Sequence, residues 1–419
     1  MKMKTSSVPN RTFNNSAAGS MNRAVWAVQP LAVLVALALS CLPVFAQGPA
    51  ESKFTIKSSV LGEERTILVR APAGSDTNNR SYPVLYMTDG DAHMGHTAST
   101  VEFLARNGRI SKLIVVGIPN TDRTRDLTPT KATDMPTTGG ADTFLKFIET
   151  ELFPEIEKRY RVQPYRILAG HSFGGLFTIH AMIARPELFH SYIAVSPSLQ
   201  WSEQATLKRA EEFLKSRQEF NATLFTSLGN ESGGILKAFV QLKEVLAKNP
   251  IPGFHWEAER WTDEDHGSVV LRSHYFGLRK IYEAWRVPRD PETGAVVGGL
   301  KGAEEHHQKL TKQFGYPIPV PESLVNDMGY QYMRARNTNE TIATFQRNVD
   351  LYPASANVYD SLAEAYERLG RLDLATPLYE KAQTLGQQNN DPEAAAFKRH
   401  FARASEKLRQ LEAAAKPKP

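Results

Sequence analysis

The stretch Gly170-His171-Ser172-Phe173-Gly174, followed by Gly175, lies between the apolar runs Tyr165 to Ala169 and Leu176 to Ala184. A strand that reverses sharply into a helix around a serine needs glycine on both sides, because the backbone approaches too closely for a Cβ. The serine is then held in a strained turn, its hydroxyl exposed at a helix N-terminus where backbone N–H groups already point outward. Such a hydroxyl attacks acyl carbons once a base and an acid reach it. A Gly-rich turn that merely contains serine is the plain alternative, and the strand–turn–helix context argues against it.

In a turn of this kind the acid and then the histidine follow downstream. Ala222 to Leu228 reads as a strand ending in Gly229-Asn230-Glu231-Ser232-Gly233, which puts Glu231 on the loop beyond it. Phe254 to Trp261 reads as the next strand and opens into Thr262-Asp263-Glu264-Asp265-His266-Gly267-Ser268. His266 is the base this pattern selects. His255 lies inside the strand, His274 in a helical stretch, and His306 with His307 in a charged segment. Glu231 would hold the imidazole tautomer and face the imidazolium, with Asp263 and Asp265 as the other carboxylates within reach.

An oxyanion hole would combine the N–H of Phe173 with one from the loop after an earlier strand, Pro83 to Met87. That loop is Thr88-Asp89-Gly90-Asp91-Ala92, so Asp91 or Gly90 supplies the second donor unless Asp89-Gly90 is an ordinary tight turn. Pro119 to Gly140 is long and aperiodic for a connection inside a compact domain. Its Arg123 and Arg125 either grip an anionic or catecholate substrate or brace the loop on Asp122 or Asp126. His171 and Trp201 complete the candidate substrate contacts. His93 and His96 lie on the loop beside the oxyanion donor, with no carboxylate or cysteine cluster to complete a metal site; neither metal nor cofactor is expected.

Taken together, several segments resemble the esterase-D-type esterases. They are Tyr82-Pro83-Val84-Leu85-Tyr86 with Asp89-Gly90-Asp91, Val115-Val116-Gly117-Ile118 leading to Arg123-Thr124-Arg125-Asp126-Leu127-Thr128-Pro129, the Gly170 to Gly175 turn, Ser196-Pro197-Ser198-Leu199-Gln200-Trp201, and Asp265-His266-Gly267-Ser268. Within that group the chain is most similar to the periplasmic trilactone siderophore esterases, over roughly residues 52 to 286. The resemblance implies an α/β-hydrolase fold, Ser172 as nucleophile, His266 as base and a siderophore lactone as substrate class. It also implies that a Ser172–His266 dyad without an acid is an alternative to the triad. Gln200 departs from it, since relatives carry an aromatic before Trp201, which bears on the shape of the acyl or aryl pocket.

Elements able to position these residues alternate along the chain. Strand-like runs at Phe54 to Val60 and Arg65 to Arg70 suggest an antiparallel opening pair. Pro83 to Met87, Leu113 to Ile118, Tyr165 to Ala169, Tyr192 to Ser196, Ala222 to Leu228 and Phe254 to Trp261 follow. Helical stretches at about 142–160, 176–184, 202–217, 235–248 and 269–285 separate the later ones. Apolar strands alternating with amphipathic helices predict a mostly parallel, doubly wound sheet, with the catalytic loops at the strand C-termini. The predicted hydrolase domain is 47–286.

At 419 residues the chain has room for more than one domain. Residues 287–320 are proline-rich around a charged helical segment, Lys301 to Phe314, and read as linker, helix, linker. Beyond them, in 321–419, Met328, Gly329, Tyr332 and Phe345 recur 34 positions later as Leu362, Ala363, Tyr366 and Tyr379. This looks like a tetratricopeptide pair, closed by a capping helix over 392–411. It is expected to pack on the hydrolase; a groove for a peptide or protein partner is the sharper alternative to a structural appendage.

Residues 1–46 carry Lys2, Lys4, Arg11 and Arg23, no acid, and the apolar run Leu31 to Phe45 ending Val44-Phe45-Ala46. This reads as a secretory leader cleaved near Ala46, with translation from Met1 or Met21; a lipoprotein site at Cys41 and an uncleaved anchor are the alternatives. Removing it takes Lys and Arg from 50 to 46 against 45 acids, so the net charge drops from +5 to +1 and no nucleic-acid partner is implied. Cys41 is the single cysteine. A mature chain would have none, which suits a secreted or periplasmic protein without disulfides and excludes thiol catalysis. The sequence therefore predicts a serine ester hydrolase, acting on siderophore lactones or on aryl or acetyl esters linked to sugars, with no membrane span in the mature protein. An acyltransferase uses the same acyl-enzyme, and a non-catalytic interaction protein built on a hydrolase scaffold would need none of it.

Overall fold

The computed structural model describes residues 51–415. The leader, its cleavage near Ala46, Cys41 and the start at Met1 or Met21 lie outside the described residues. Eight strands form one sheet: β1 (Glu51–Ser58), β2 (Glu63–Arg70), β3 (Tyr82–Thr88), β4 (Ile114–Ile118), β5 (Val162–His171), β6 (Ser191–Val195), β7 (Ala222–Leu228) and β8 (Phe254–Arg260). Their spatial order is β1-β2-β4-β3-β5-β6-β7-β8; β1, β2 and β4 pair antiparallel and the remaining neighbours parallel. The mostly parallel sheet expected from the alternating pattern, and the α/β-hydrolase fold implied by the resemblance, are thus present. Every residue of β3, β4, β6 and β7 is buried, as parallel strands covered on both faces require.

Chain order reverses at β3, with β4 on one side and β5 on the other. A crevice opens at the carboxyl ends of strands flanking such a reversal. Those ends are Thr88-Asp89-Gly90 and His171-Ser172.

Helices cover both faces: α1 (Gly90–Arg106), α2 (Arg123–Leu127), α3 (Ala141–Phe147), a π-turn (Ile148–Leu152), α4 (Phe153–Arg159), α5 (Phe173–Ala184), α6 (Trp201–Ser216), α7 (Gly233–Lys248) and α8 (Val269–Ile281). Two details differ from the sequence expectation. The segment carrying Gly90, Asp91, His93 and His96 is a helix rather than a loop, entered through Asp89 in a left-handed conformation (φ 54°). The expected helix over 142–160 is broken by the π-turn just before Pro154, a residue that cannot donate to the preceding turn.

Beyond the sheet, α9 (Gly299–Phe314) lays Leu310 and Phe314 into one hydrolase core cluster. Phe314 stacks on Tyr282 at 4.9 Å and meets Tyr165 edge-on at 4.9 Å. Helices α10 (Glu322–Arg334), α11 (Thr338–Leu351), α12 (Ala356–Arg368) and α13 (Leu372–Gln388) form two hairpins followed by α14 (Ala394–Ala415). Corresponding helices start at Glu322 and Ala356, and at Thr338 and Leu372, 34 positions apart in each pair. Gly329 lets Phe345 press on α10, where a Cβ would collide with the ring. The first hairpin is tied to α9 and its following loop by Arg347–Glu304 at 2.7 Å and by the Tyr352 hydroxyl donating to the Val320 carbonyl.

Candidate active site

Ser172 occupies the turn between β5 and α5 at φ 61°, ψ −115°, a strained conformation for a residue with a Cβ. The glycines around it are sterically compelled. A Cβ at Gly170 would run into the Gly174 carbonyl, one at Gly174 into the Thr88 hydroxyl, and one at Gly175 would lie 2.9 Å from the Pro197 Cα. Ser172 N–H donates to the Val195 carbonyl at 2.9 Å, and the Ser172 carbonyl accepts from Ser198 N–H at 3.1 Å. Among the described residues its hydroxyl has one side-chain hydrogen bond, with Ser198 Oγ at 3.3 Å.

His266 and Glu231 come together from the loops after β8 and β7, with His266 Nδ1 2.8 Å from Glu231 Oε1. Gly229 makes this possible: a Cβ there would lie 2.7 Å from the Glu264 carbonyl and 2.8 Å from Glu231 Oε2. Asn230 N–H donates to that Glu264 carbonyl at 2.8 Å, fastening the two loops. Burial pushes the Glu231 carboxyl up, but interaction with the Ser196 hydroxyl and with His266 outweighs it and holds the group below its ordinary value. That hydroxyl and Glu231 Oε2 are both buried without a protein hydrogen bond of ordinary geometry, so the help from Ser196 is electrostatic proximity more than a formed bond. The two other acids are engaged elsewhere. Asp263 pairs with Arg272 at 2.9 Å, and Asp265 accepts from Gly267 and Ser268 N–H.

The loop expected to give the second oxyanion donor abuts the turn, since Thr88 and Asp89 are what a Cβ at Gly174 would strike. Phe173 opens α5, Gly90 and Asp91 open α1, and first-turn N–H groups have no partner within their own helix. Gly90 is buried against Gly117, where a Cβ would sit 2.6 Å from the backbone.

Arg123 does not present a free guanidinium to substrate. It grips Asp89 through two bonds of 2.6 and 3.1 Å, donates to the His171 carbonyl at 3.0 Å and lies 5.6 Å from the Phe173 ring. Arg125 is likewise spent on Glu63 (2.6 Å) and Asp126 (2.7 Å), where Arg65, 1% exposed, joins the cluster. Both arginines follow the bracing alternative rather than the substrate one: Arg125 pairs with the local Asp126 and with Glu63 of β2, and Arg123 with Asp89 beyond β3 rather than with Asp122. No local pattern signals the pairing with Asp89 and Glu63, which lie 34 and 62 positions away. Asp122 caps α2 by accepting from Arg125 N–H.

Trp201 borders the nucleophile as expected. Its ring meets Phe173 edge-on at 5.2 Å, and its indole N–H donates to Thr130 Oγ1 at 2.9 Å. Three consecutive non-glycine residues after it, Ser202, Glu203 and Gln204, have positive φ. His171, expected as a substrate contact, is half-buried, its ring packed 4.6 Å from His266 and 5.5 Å from His93. Burial first, then the neighbouring His266 and His93, push its imidazole down to about 4. Ser198 is the site residue that sequence reasoning passed over, although it lies within Ser196-Pro197-Ser198, immediately after β6. Among the described residues no group of three or more His, Cys, Asp or Glu could hold a metal ion, and no helix is long and apolar enough to cross a membrane.

A reversing sheet that holds a serine in a strained strand-to-helix turn, with a carboxylate-bound histidine packed on the residue before it, defines a serine-hydrolase type of α/β fold. A family model described as "Putative esterase" matches residues 58–274, more than half of the chain, and the chain belongs to that family. The ferri-bacillibactin esterase of Bacillus subtilis (strain 168) is 33% identical over 168 residues, which are 34% of this chain and 58% of that protein. The siderophore enterobactin esterase of Emericella nidulans is 28% identical over 244 residues, 46% of this chain and 80% of that protein. The chain thus spans between about half and four-fifths of the length of these curated relatives. An IroE-like serine hydrolase from Shewanella oneidensis is similar in structure, with a TM-score of 0.64 and 26% identity over 72% of this chain and 100% of that one. A protein from Capnocytophaga ochracea shares the fold at 17% identity, with a TM-score of 0.62 over 85% of this chain and 100% of its own.

Proposed function

We propose that this protein is a serine carboxylic-ester hydrolase working through an acyl-enzyme on Ser172. The observation that carries the proposal is the His266–Glu231 pair at 2.8 Å, converging on the loops beside a serine in a strained strand-to-helix turn. With Nδ1 committed to the carboxylate, the other ring nitrogen of His266 is the one left to serve Ser172. In this reading the hydroxyl leaves Ser198 for that nitrogen as substrate enters; catalytic hydrogen bonds are often unmade in free enzymes. His266 accepts the serine proton as Oγ bonds to the acyl carbon. The resulting oxyanion faces the N–H of Phe173 and that of Gly90 or Asp91. Collapse breaks the ester C–O bond and His266 returns the proton to the leaving oxygen. Water, deprotonated by the same imidazole, then releases the acid and frees Ser172.

Names of the relatives support a siderophore lactone or related ester as substrate. The Phe173–Trp201 wall favours an aromatic group on that ester, which keeps aryl esters as the second substrate class. An acceptor alcohol in place of water would make the same acyl-enzyme a transferase. We further propose that residues 1–46 direct export to the periplasm or exterior, and that the 34-residue helical hairpins, read as a tetratricopeptide pair, offer a partner surface. Incubation with a fluorophosphonate, peptide mapping and a panel of aryl, acetyl and lactone esters test the catalytic reading. Labelling at Ser172 with turnover of at least one ester is the expected result; N-terminal sequencing of exported protein, expected to start near Gln47, tests the leader.

A further inference from the structure

Behind the base lies a group of histidines that the reaction does not consume. His171 ends β5, one residue before the nucleophile, and its ring centre is 4.6 Å from that of His266 at an interplanar angle of 49°. His93 lies behind it at 5.5 Å, 5.2 Å from His96 and 6.4 Å from His274. His274, buried on α8, shares a hydrogen bond of 2.8 Å between its Nδ1 and Thr97 Oγ1. The charged and titratable groups facing His171 are His266 from the β8 loop and His93 and Asp89 from the β3 side; Asp89 is already paired with Arg123. Those facing His93 are Asp89, Arg123 and Asp91, and His274 faces His96, His93 and His171.

We propose that His171 is a positioning residue: its ring is the shelf on which the His266 imidazole rests, and the packed rings of His93, His96 and His274 hold that shelf in place. The inference rests on the assignment of His266 as base. Two physical requirements meet here. A general base must hold its ring to within a fraction of an ångström of its productive position, and among the described residues the ring of His266, 43% exposed, has Glu231 as its one side-chain hydrogen-bond partner. The shelf supplies the face. The base also turns into an imidazolium during the reaction, so a cationic neighbour at ring-contact distance would oppose catalysis. Burial keeps His171, His93, His96 and His274 neutral at ordinary pH, each held below the usual histidine value.

The test compares His171→Ala and His171→Phe in the full chain, with active sites counted by fluorophosphonate titration and kcat and KM read per active site on an aryl ester. We expect His171→Ala to lower kcat about 10- to 100-fold with KM within about 2-fold, and His171→Phe, a flat ring that cannot protonate, to recover most of that loss. The acid side of the pH–rate profile should fall with fewer protons in His171→Phe than in the wild type. Wild-type kcat per active site in His171→Ala, with only the fraction of folded enzyme reduced, would make the residue merely structural and overturn the proposal. Equal impairment of both variants would also overturn it, by showing that an imidazole nitrogen and not the ring face is needed. Failure of the wild type to label at Ser172 is a separate result, which would remove the serine-esterase reading itself.

Discussion

Glu231 Oε1 lies 2.8 Å from His266 Nδ1, on a carboxylate that is only 10% exposed. A buried carboxylate against an imidazole fixes its tautomer and opposes the charge it acquires. Glu231→Gln should keep the fold and cost on the order of 10²–10⁴ in kcat. Because the Glu231 carboxyl is held below its ordinary value, its support is complete above that value and is lost as pH falls through the folded one. The acid decline in stability should therefore be shallower in Glu231→Gln. Near-wild-type turnover would favour a Ser172–His266 dyad, since Asp263 and Asp265 are bonded elsewhere.

The neutral histidines make a second pH-dependent contribution. His93, His96, His171 and His274 all sit below their unfolded value of 6.5. The unfolded chain then binds more protons than the folded one as pH falls below about 6.5, so stability is full above that pH and declines towards the folded value, about 4 for His171. Each extra proton contributes roughly 1.4 kcal/mol per pH unit. Urea midpoints at several pH values between about 7.5 and 4.5 should show this slope, shallower in His274→Phe. A flat response across that interval would contradict neutral burial.

Arg123 tests bracing against substrate binding. Removing it leaves Asp89, 5% exposed, with only Asn120 as a side-chain partner. Arg123→Ala should destabilise by about 2–3 kcal/mol, below the figure for fully buried pairs because the guanidinium is a third exposed. It should also lower kcat for neutral and anionic esters alike, because Arg123 links Asp89 to the His171 carbonyl next to the nucleophile. A rise in KM confined to anionic esters, with stability unchanged, would instead return Arg123 to the substrate.

The boundary between hydrolase and repeat is a matter of one helix. Leu310, Phe314, Tyr316 and Ile318 belong to the hydrolase core. A chain of residues 47–286 should expose that surface at roughly 25 cal/mol per Å² and aggregate or unfold. One of residues 47–320 should fold and cleave small esters. Full activity and stability in the shorter chain would show that α9 is dispensable.

Periodicity and turn chemistry carried most of the sheet from sequence, because buried parallel strands are short apolar runs and the strand–turn–helix context of Gly170 to Gly175 favours a nucleophile turn over a plain Gly-rich one. Ser172 followed from the turn motif and His266 from chain order, whereas Glu231, Asp263 and Asp265 stood equally upstream of the histidine and only the fold brings Glu231 onto its ring. The helix at Gly90 went unread because its amphipathic stripe is weak and Gly90, Gly95 and Thr97 are poor helix formers; Gly90 answers a close approach to Gly117 and Thr97 a bond to His274. Partners of Arg123 and Arg125 could not be read at all. Asp89 and Glu63 reach them through the tertiary fold, from 34 and 62 positions away.

The most direct test of the whole account is the reactivity of Ser172. Wild-type protein treated with a fluorophosphonate should gain one adduct, mapped to the peptide containing Ser172. Ser172→Ala should gain none and lose roughly 10³-fold or more in kcat on any ester the wild type cleaves; His266→Ala should lose about as much, and the double variant little more. Ester hydrolysis retained in Ser172→Ala, or an adduct on another residue, would contradict the account.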